Sequence, residues 1–446
     1  MKEPIKFKSF PENKPIEVFL RLCDEYERAF LFESVGDGGD SSRFSFLGFD
    51  PEVTVTVKDC VAYIDGERLE IDDPLDVIRA LVNEIRVFDS SHRYVGGAVG
   101  YISYDAVRYW EKLPNIAVDD LRLPDIEMSI FDDGIVFDHA SGKAFYFYRG
   151  RDRYSEIARR INRNLSIPDL SFTTPRVNID RDKYDRIIER AKEYIFSGDI
   201  LQVVLSKRYS SSFTGGLQKF YLNLRRINPS PYMYFLKAGD LFIIGSSPET
   251  LARVEGGIIE TCPIAGTRPM TGDQEKDKAL EEEMLNDPKE LAEHIMLLDL
   301  ARNDLGRVSE FGTINVIELM KVKKYSHVQH LVSKVTGKLR KDYDCFDALR
   351  AVFPAGTVSG APKVRAMEII EELEPARRGP YAGAVGYFSC NGNMDFAITI
   401  RTLFAKDNRL HIQVGSGIVA DSTARGEWLE TEFKARALMK ALEESE

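Results

Sequence analysis

The sequence predicts an α+β protein with mixed or antiparallel sheets, and three observations carry the prediction. β-like runs dominate the first 150 residues or so, helical patterns come mainly afterwards, and the two types occur in runs rather than in strict βαβα alternation. The composition agrees: 43% hydrophobic and 11% aromatic residues in a chain of 446 suit a protein with a large interior. At this length two cores, or one very large composite core, are expected.

Taken in order, Val53-Thr54-Val55-Thr56-Val57 and Ala144-Phe145-Tyr146-Phe147-Tyr148 read as strands, with loops such as Gly36 to Ser42 between β-like runs. Ser166 to Pro175, with two prolines and several Ser and Thr, reads as a linker. It divides an N-terminal domain, residues 1–165, from a larger domain, residues 176–446. Beyond it, Arg181 to Phe196, Pro288 to Leu300, Asp344 to Phe353 and Trp428 to Leu442 have helical patterns, while Leu241 to Gly245, Phe396 to Ile400 and Leu410 to Val414 read as strands. There is no internal repeat.

The formal charge of −11 argues against a general nucleic-acid or anionic-membrane binder, which needs a broad positive field. An anionic substrate would have to be met by local cations. Five cysteines (Cys23, Cys60, Cys262, Cys345, Cys390) are odd in number, widely spaced and never C-x-x-C, which suits a reducing compartment. With no apolar leader in MKEPIKFKSF and no apolar run of membrane-spanning length, a cytoplasmic protein is expected.

Two helical segments carry Glu-x-x-Glu pairs: Glu290 with Glu293, after the capping Asn286-Asp287-Pro288, and Glu427 with Glu430. Spacing of i, i+3 puts each pair on one helix face, and two such faces could present oxygen donors to Mg2+. Such pairs are ordinarily a solvated face, and Glu430 can simply pair with Lys434 one turn on. Glycine-rich segments are the second feature: Pro263 to Pro269, Pro354 to Lys363, and Gly415-Ser416-Gly417. Backbone approaches a ligand closely at such glycines, although tight turns use them too. Gly415-x-Gly417-x-x-Ala420 imitates a dinucleotide fingerprint, but too little chain follows it for a βαβ unit. Arg401, Lys434 and Lys363 are basic groups near these loops, and His330 titrates near neutrality.

The order and wording of these segments resemble the chorismate-utilising enzyme family, and within it the anthranilate-forming branch, from about residue 31 to 440. The resemblance rests on Gly96-Gly97-Ala98-Val99-Gly100-Tyr101, Gly198-Asp199-Ile200-Leu201-Gln202, Ser247-Pro248-Glu249-Thr250, Pro263-Ile264-Ala265-Gly266-Thr267-Arg268 and Glu290 to Gly306. It continues in His330-Leu331-Val332-Ser333, Phe353 to Lys363, Tyr381 to Tyr387 and Ile400-Arg401-Thr402. It implies stacked antiparallel sheets flanked by helices, a small N-terminal domain packed on a chorismate-binding domain, and a reaction of chorismate with ammonia that gives anthranilate and pyruvate. Isochorismate- and salicylate-forming relatives carry Lys where this chain has Gln202, and aminodeoxychorismate-forming relatives carry Lys where it has Ala265. Those two branches stay as alternatives. Cys262, where a basic or polar residue is common, Leu31-Phe32, in place of a double Leu, and Glu427-Trp428, which is closer to the isochorismate branch, depart from the expected wording.

The same resemblance implies roles residue by residue. Glu290, Glu293, Glu427 and Glu430 would hold Mg2+. Gly266, Thr267, Tyr381, Arg401, Gly415, Gly417 and Lys434 would bind the substrate, with Glu249, His330 and Thr357 catalytic. A tryptophan feedback site would draw on Glu33, Ser34, Pro229, Tyr232, Met233, Val385 and Tyr387, a buried carboxylate and hydroxyl taking the amino group. No glutaminase signature lies in the chain, so a glutamine amidotransferase subunit is the implied ammonia source.

Overall fold

The computed structural model describes residues 4–11, 14–35, 43–87, 91–162, 164–324 and 328–446. The loop expected at Gly36 to Ser42 lies outside them, as do Ser326 and His327, which precede the His330 segment. Among the described residues the chain forms two antiparallel sheets, of 13 and 12 strands, with helices on their outer faces. This is the α+β architecture of stacked antiparallel sheets.

The sheets pack face to face through an aromatic layer. Phe30, Phe46, Val136 and Phe147 of the first sheet meet Val99, Phe131 and Tyr387 of the second. Alternation along Arg28–Glu33 shows how: Phe30 faces the other sheet, while Ala29 and Leu31 face the helices Pro15–Leu22 and Gln218–Ile227. Those helices and Ala424–Glu443 bury Phe19, Phe220 and Leu438 against Leu31, Phe235 and Ile412. Over the second sheet, Pro74–Glu84, Pro288–Gly306 and Cys345–Val352 bury Ile78, Leu298 and Phe346. Each large side chain so buried contributes about 1.5–3 kcal/mol. With both faces covered, strands such as Ile126–Phe131 and Ala384–Ser389 are buried throughout and lose the alternation of a one-sided sheet.

Both sheets are built from strands on either side of residues 166–175. Arg28–Glu33 pairs with Tyr232–Ala238, and Gly97–Ile102 pairs with Ala384–Ser389. Part of the expected linker, Leu170–Phe172, is itself a strand pairing with Gln202–Gly215. The sequence regions 1–165 and 176–446 therefore share their sheets, because backbone pairing across the seam is worth more to both than two open edges. Gly100 and Gly386 face each other at that seam, where a Cβ on either would stand about 2 Å from a neighbouring carbonyl oxygen.

The expected helices are present, Arg181–Phe196 with the bounds expected and the other three with shifted ends. Pro288 begins a helix that runs to Gly306, capped by Asp287, whose side chain accepts from the Lys289 amide at 2.9 Å. The last long helix starts at Ala424 rather than Trp428, because Thr423 caps it and accepts from the Gly426 amide at 3.2 Å. Glu427 thereby falls in its first turn. Met394–Ile398 ends two residues before the expected Ile400, which leaves Arg401 in a left-handed turn with φ +52°.

Candidate active site

Strands and helices from distant parts of the chain bring the site together. Gln202–Gly215 and Arg409–Ile418 pair so that Gly417 lies opposite Val204 and Gly415 opposite Ser206. A Cβ on Gly415 would stand 2.5 Å from the Tyr381 hydroxyl, and one on Gly417 would stand 2.4 Å from the Gln202 amide nitrogen. These glycines are there for space: they let a phenol and an amide lie directly on the strand. Lys434, from the last helix, donates to the Gly415 carbonyl at 3.0 Å and pairs with Glu430 at 2.7 Å. The intrahelical pair anticipated for Glu430 is thus real, and it points Lys434 at the glycine strand.

The second side is the strand Ile264–Pro269, paired with Val328–Lys338 and broken by a bulge between Ala265 and Thr267. Gly266 sits in the bulge with φ +68°. His330 lies opposite Thr267, and its Nδ1 is 3.0 Å from the Thr267 hydroxyl and 3.1 Å from the Gly266 carbonyl. Burial holds the His330 imidazole below its usual range, the Gly266 carbonyl opposes this, and the Arg401 and Lys434 cations push it lower. Both charges therefore act on the imidazole through space. Among the described residues, no hydrogen bond or ion pair engages the Arg401 guanidinium.

Glu249 follows Leu241–Ser247 and lines a cavity of about 40 Å³ with Thr357 and Gly356. Burial pushes its carboxyl up to about 8, against the neighbouring Thr357 hydroxyl and the Lys434 charge. It is a buried acid that keeps its proton at neutral pH.

The helices Pro288–Gly306 and Ala424–Glu443 bring in the four glutamates. Glu293 accepts from the Gln202 amide at 3.1 Å, so Gln202 ties this helix to the glycine strand. The Glu293 carboxyl is raised first by burial and then by Glu290, with Glu430 adding to it. Glu427 is raised by burial and by Glu430, and its Oε2 is buried without a hydrogen-bond partner among the described residues. Carboxylates that repel one another, with an orphaned oxygen among them, form a donor set suited to a hard cation. Among the described residues, no three His, Cys, Asp or Glu side chains close around one point, so the four face one another without converging.

Two residues singled out in the sequence prove structural. Lys363 pairs with Asp304 at 2.7 Å and donates to the Val352 carbonyl at 3.0 Å, so it is committed beneath the glycine-rich loop. Trp428, the unexpected neighbour of Glu427, packs edge-on against Tyr184 and lies under the ammonium of Lys207, 3.1 Å from its ring centroid. Lys207 is fully buried and pairs with Glu432 at 2.5 Å. The departure in wording at Trp428 thus anchors the helix rather than altering the pocket. Arg268 is a residue that sequence reasoning passed over: it donates to Glu290 at 2.8 Å. Its place in Pro263 to Pro269, beside Gly266, was the available signal.

A second cavity, about 50 Å³, lies between the sheets. Glu33, Ser34, Tyr232, Met233, Val385 and Tyr387 line it. Pro231 lines it and Pro229 does not, because Pro229 lies back toward the end of the helix Gln218–Ile227 while Pro231 directly precedes the strand at Tyr232. The Glu33 carboxylate accepts from Tyr221 at 2.7 Å and from Arg225 at 2.8 Å, so its charge is already met. The Ser34 and Tyr387 hydroxyls are buried without partners among the described residues, and Arg93 and Asp395, not anticipated from sequence, also face the space.

The sequence profile of the chorismate binding enzyme family matches residues 16–440. The chain is 47% identical over 443 residues to anthranilate synthase component 1 of Methanothermobacter marburgensis, covering 99% of this chain and 94% of that one. Against the Thermus thermophilus protein of the same name it is 46% identical over 446 residues, covering 97% and 96%. It superposes on the crystal structure of anthranilate synthase component I from Streptococcus pneumoniae with a TM-score of 0.78 at 39% identity, covering 89% and 92%. The menaquinone-specific isochorismate synthase of Escherichia coli, at 19% identity and TM-score 0.76 over 99% and 95%, shares the fold.

Proposed function

The chain belongs to the family of chorismate-binding enzymes, and from that membership we propose that it converts chorismate and ammonia to anthranilate and pyruvate. The observation that carries the reading is Lys434 and the Tyr381 hydroxyl held against the backbone of Gly415, together with the Arg401 cation acting on His330, and the buried neutral acid Glu249. Cations and exposed N–H groups suit a substrate with two carboxylates. Gln202 and Ala265 stand where relatives that add water, or that form a covalent ring adduct, carry lysine, so ammonia is left as the nucleophile.

Ammonia adds at ring carbon 2 as the C4 hydroxyl departs, and the proton that the new ammonium group sheds returns to the Glu249 carboxylate. Glu249, protonated at neutral pH, gives its proton to that hydroxyl, which leaves as water. Arg401, Lys434, Tyr381 and the backbone of Gly266 and Thr267 hold the carboxylates, with the ring beside His330. His330, kept neutral by burial and by the two cations, accepts the proton lost as pyruvate is eliminated. Thr357 supports Glu249 in its cavity. Glu290, Glu293, Glu427 and Glu430 would hold Mg2+, whose charge, when bound, offsets the repulsion of the ring carboxylate.

As a lyase component the chain takes its ammonia from a glutamine amidotransferase subunit. L-Tryptophan binds the cavity between the sheets as a feedback inhibitor, its amino group met by the Ser34 and Tyr387 hydroxyls and Asp395 rather than by the committed Glu33. The test is the purified chain with chorismate, ammonium and Mg2+. Anthranilate and pyruvate that disappear with EDTA are expected; isochorismate or aminodeoxychorismate as product would overturn the reading.

A further inference from the structure

This inference rests on the roles proposed above for Tyr381 and Glu249. One edge of Gln202–Gly215 is covered by Arg409–Ile418, and the other is covered in pieces: Gln202 and Val203 pair with Ala361 and Gly360, Tyr209 and Ser210 with Val177 and Arg176. Between those pieces, among the described residues, no strand covers residues 204–207. Two side chains take its place. The Glu374 carboxylate accepts from the Ser206 amide at 2.8 Å and hydroxyl at 2.9 Å, and Arg378 Nη2 donates to the Val204 carbonyl at 2.7 Å. Arg378 and Glu374 pair with each other at 2.7 and 3.0 Å. The Arg378 side chain is 1% exposed, and its other contacts lead to the candidate site. Its Nη1 donates at 2.7 Å to the carbonyl of Val358, which follows Thr357, and its guanidinium carbon lies 5.6 Å from the Tyr381 ring centroid and 4.7 Å from that of Tyr104. A buried guanidinium forked onto a carboxylate and two carbonyls is a fixed point, because releasing any partner would leave a charge or a polar group unmet.

We propose that Arg378 is a positioning residue for the reaction: it holds the Tyr381 phenol and the Thr357 loop in register with the glycine strand, so that the carboxylate site and the Glu249 acid act on one substrate molecule. Val204 and Ser206, the residues it and Glu374 hold, stand opposite Gly417 and Gly415. One enclosed side chain thereby ties three parts of the site together, and it does so without touching substrate.

The test is a double-mutant cycle on the full-length chain, reading kcat/KM with chorismate, ammonium and Mg2+, and chorismate Kd by isothermal titration without ammonium. Arg378→Lys keeps the charge and loses the fork. Arg378→Met combined with Glu374→Gln removes both charges, so that neither is left buried alone. With circular dichroism unchanged, each is expected to lower kcat/KM about 10–100-fold. In a Tyr381→Phe background the same changes are expected to cost at least about threefold less, because part of what Arg378 positions is already gone. Equal losses in both backgrounds, unaltered kcat/KM in a folded variant, or failure of both variants to fold would assign Arg378 to the fold alone and overturn the proposal. A wild-type chain that binds chorismate yet makes no anthranilate overturns the functional reading instead, and the cycle is then decided on Kd. No chorismate binding at all overturns both.

Discussion

Glu249 and Glu33 are both buried glutamates, one in each cavity, and their surroundings differ in kind. Glu33 is 5% exposed and meets Arg225 and Tyr221 at hydrogen-bond distance. Glu249 is 7% exposed, with a hydroxyl beside it and Lys434 acting only through space, and its carboxyl is pushed up to about 8. Burial alone does not keep a proton on a carboxyl; burial without a neutralising partner does. The first arrangement holds a structure together, and the second holds a proton ready.

The largest effect that would break this comparison is loss of the acid. Glu249→Gln is expected to lower kcat by about 10²–10⁴-fold with the fold intact, read by steady-state anthranilate fluorescence beside circular dichroism. If Glu33→Gln produced a comparable loss with ammonium as nitrogen source, the distinction would collapse. Next in size is Arg401→Met, which removes a cation without an ion pair among the described residues and proposed to meet a substrate carboxylate: kcat/KM should fall about 10–100-fold, mostly through KM.

The pH dependence sharpens the contrast. Glu249 has a folded-state value above its unfolded one, so in its proposed role it can give a proton only below about 8, and kcat should fall as pH rises through that value. The linked stability has the same sign: it is fully present below the unfolded carboxyl value and is lost as pH rises through about 8. Glu249→Gln should therefore melt higher than wild type at pH 9 and similarly at pH 5, checked by thermal unfolding at both. Glu33→Gln should instead destabilise by about 1–2 kcal/mol at pH 7, because a partly buried Arg225 loses its partner, read as a shift in the urea midpoint. Smallest is Tyr387→Phe, expected to weaken L-tryptophan inhibition about fivefold while leaving uninhibited turnover unchanged, the value of one hydrogen bond.

Much of the candidate site was legible because its residues sit in local motifs. Gly266, Gly415 and Gly417 were readable as places where backbone approaches another group, and each has such a neighbour: Glu290 and Met284, Tyr381, and Gln202. The two Glu-x-x-Glu faces were readable from helical spacing. The commitment of Lys363 was not legible, because its partner Asp304 lies 59 residues away and no local pattern announces it. Pro229 and Pro231 flank the same residue, and only the start of the strand at Tyr232 decides which of them reaches the cavity.

By itself the sequence determined the α+β class, the position of four helices and the set of chemical groups available, since each depends on neighbours a few residues apart. The tertiary structure decided how the two regions combine and which groups are neutralised. Strands from before and after residues 166–175 share both sheets, Glu33 is paired with Arg225, Glu290 with Arg268, and Glu249, among the described residues, with no cation. Protonation and reactivity follow from solvation and from charges brought close in space, and residues far apart in the chain supply both.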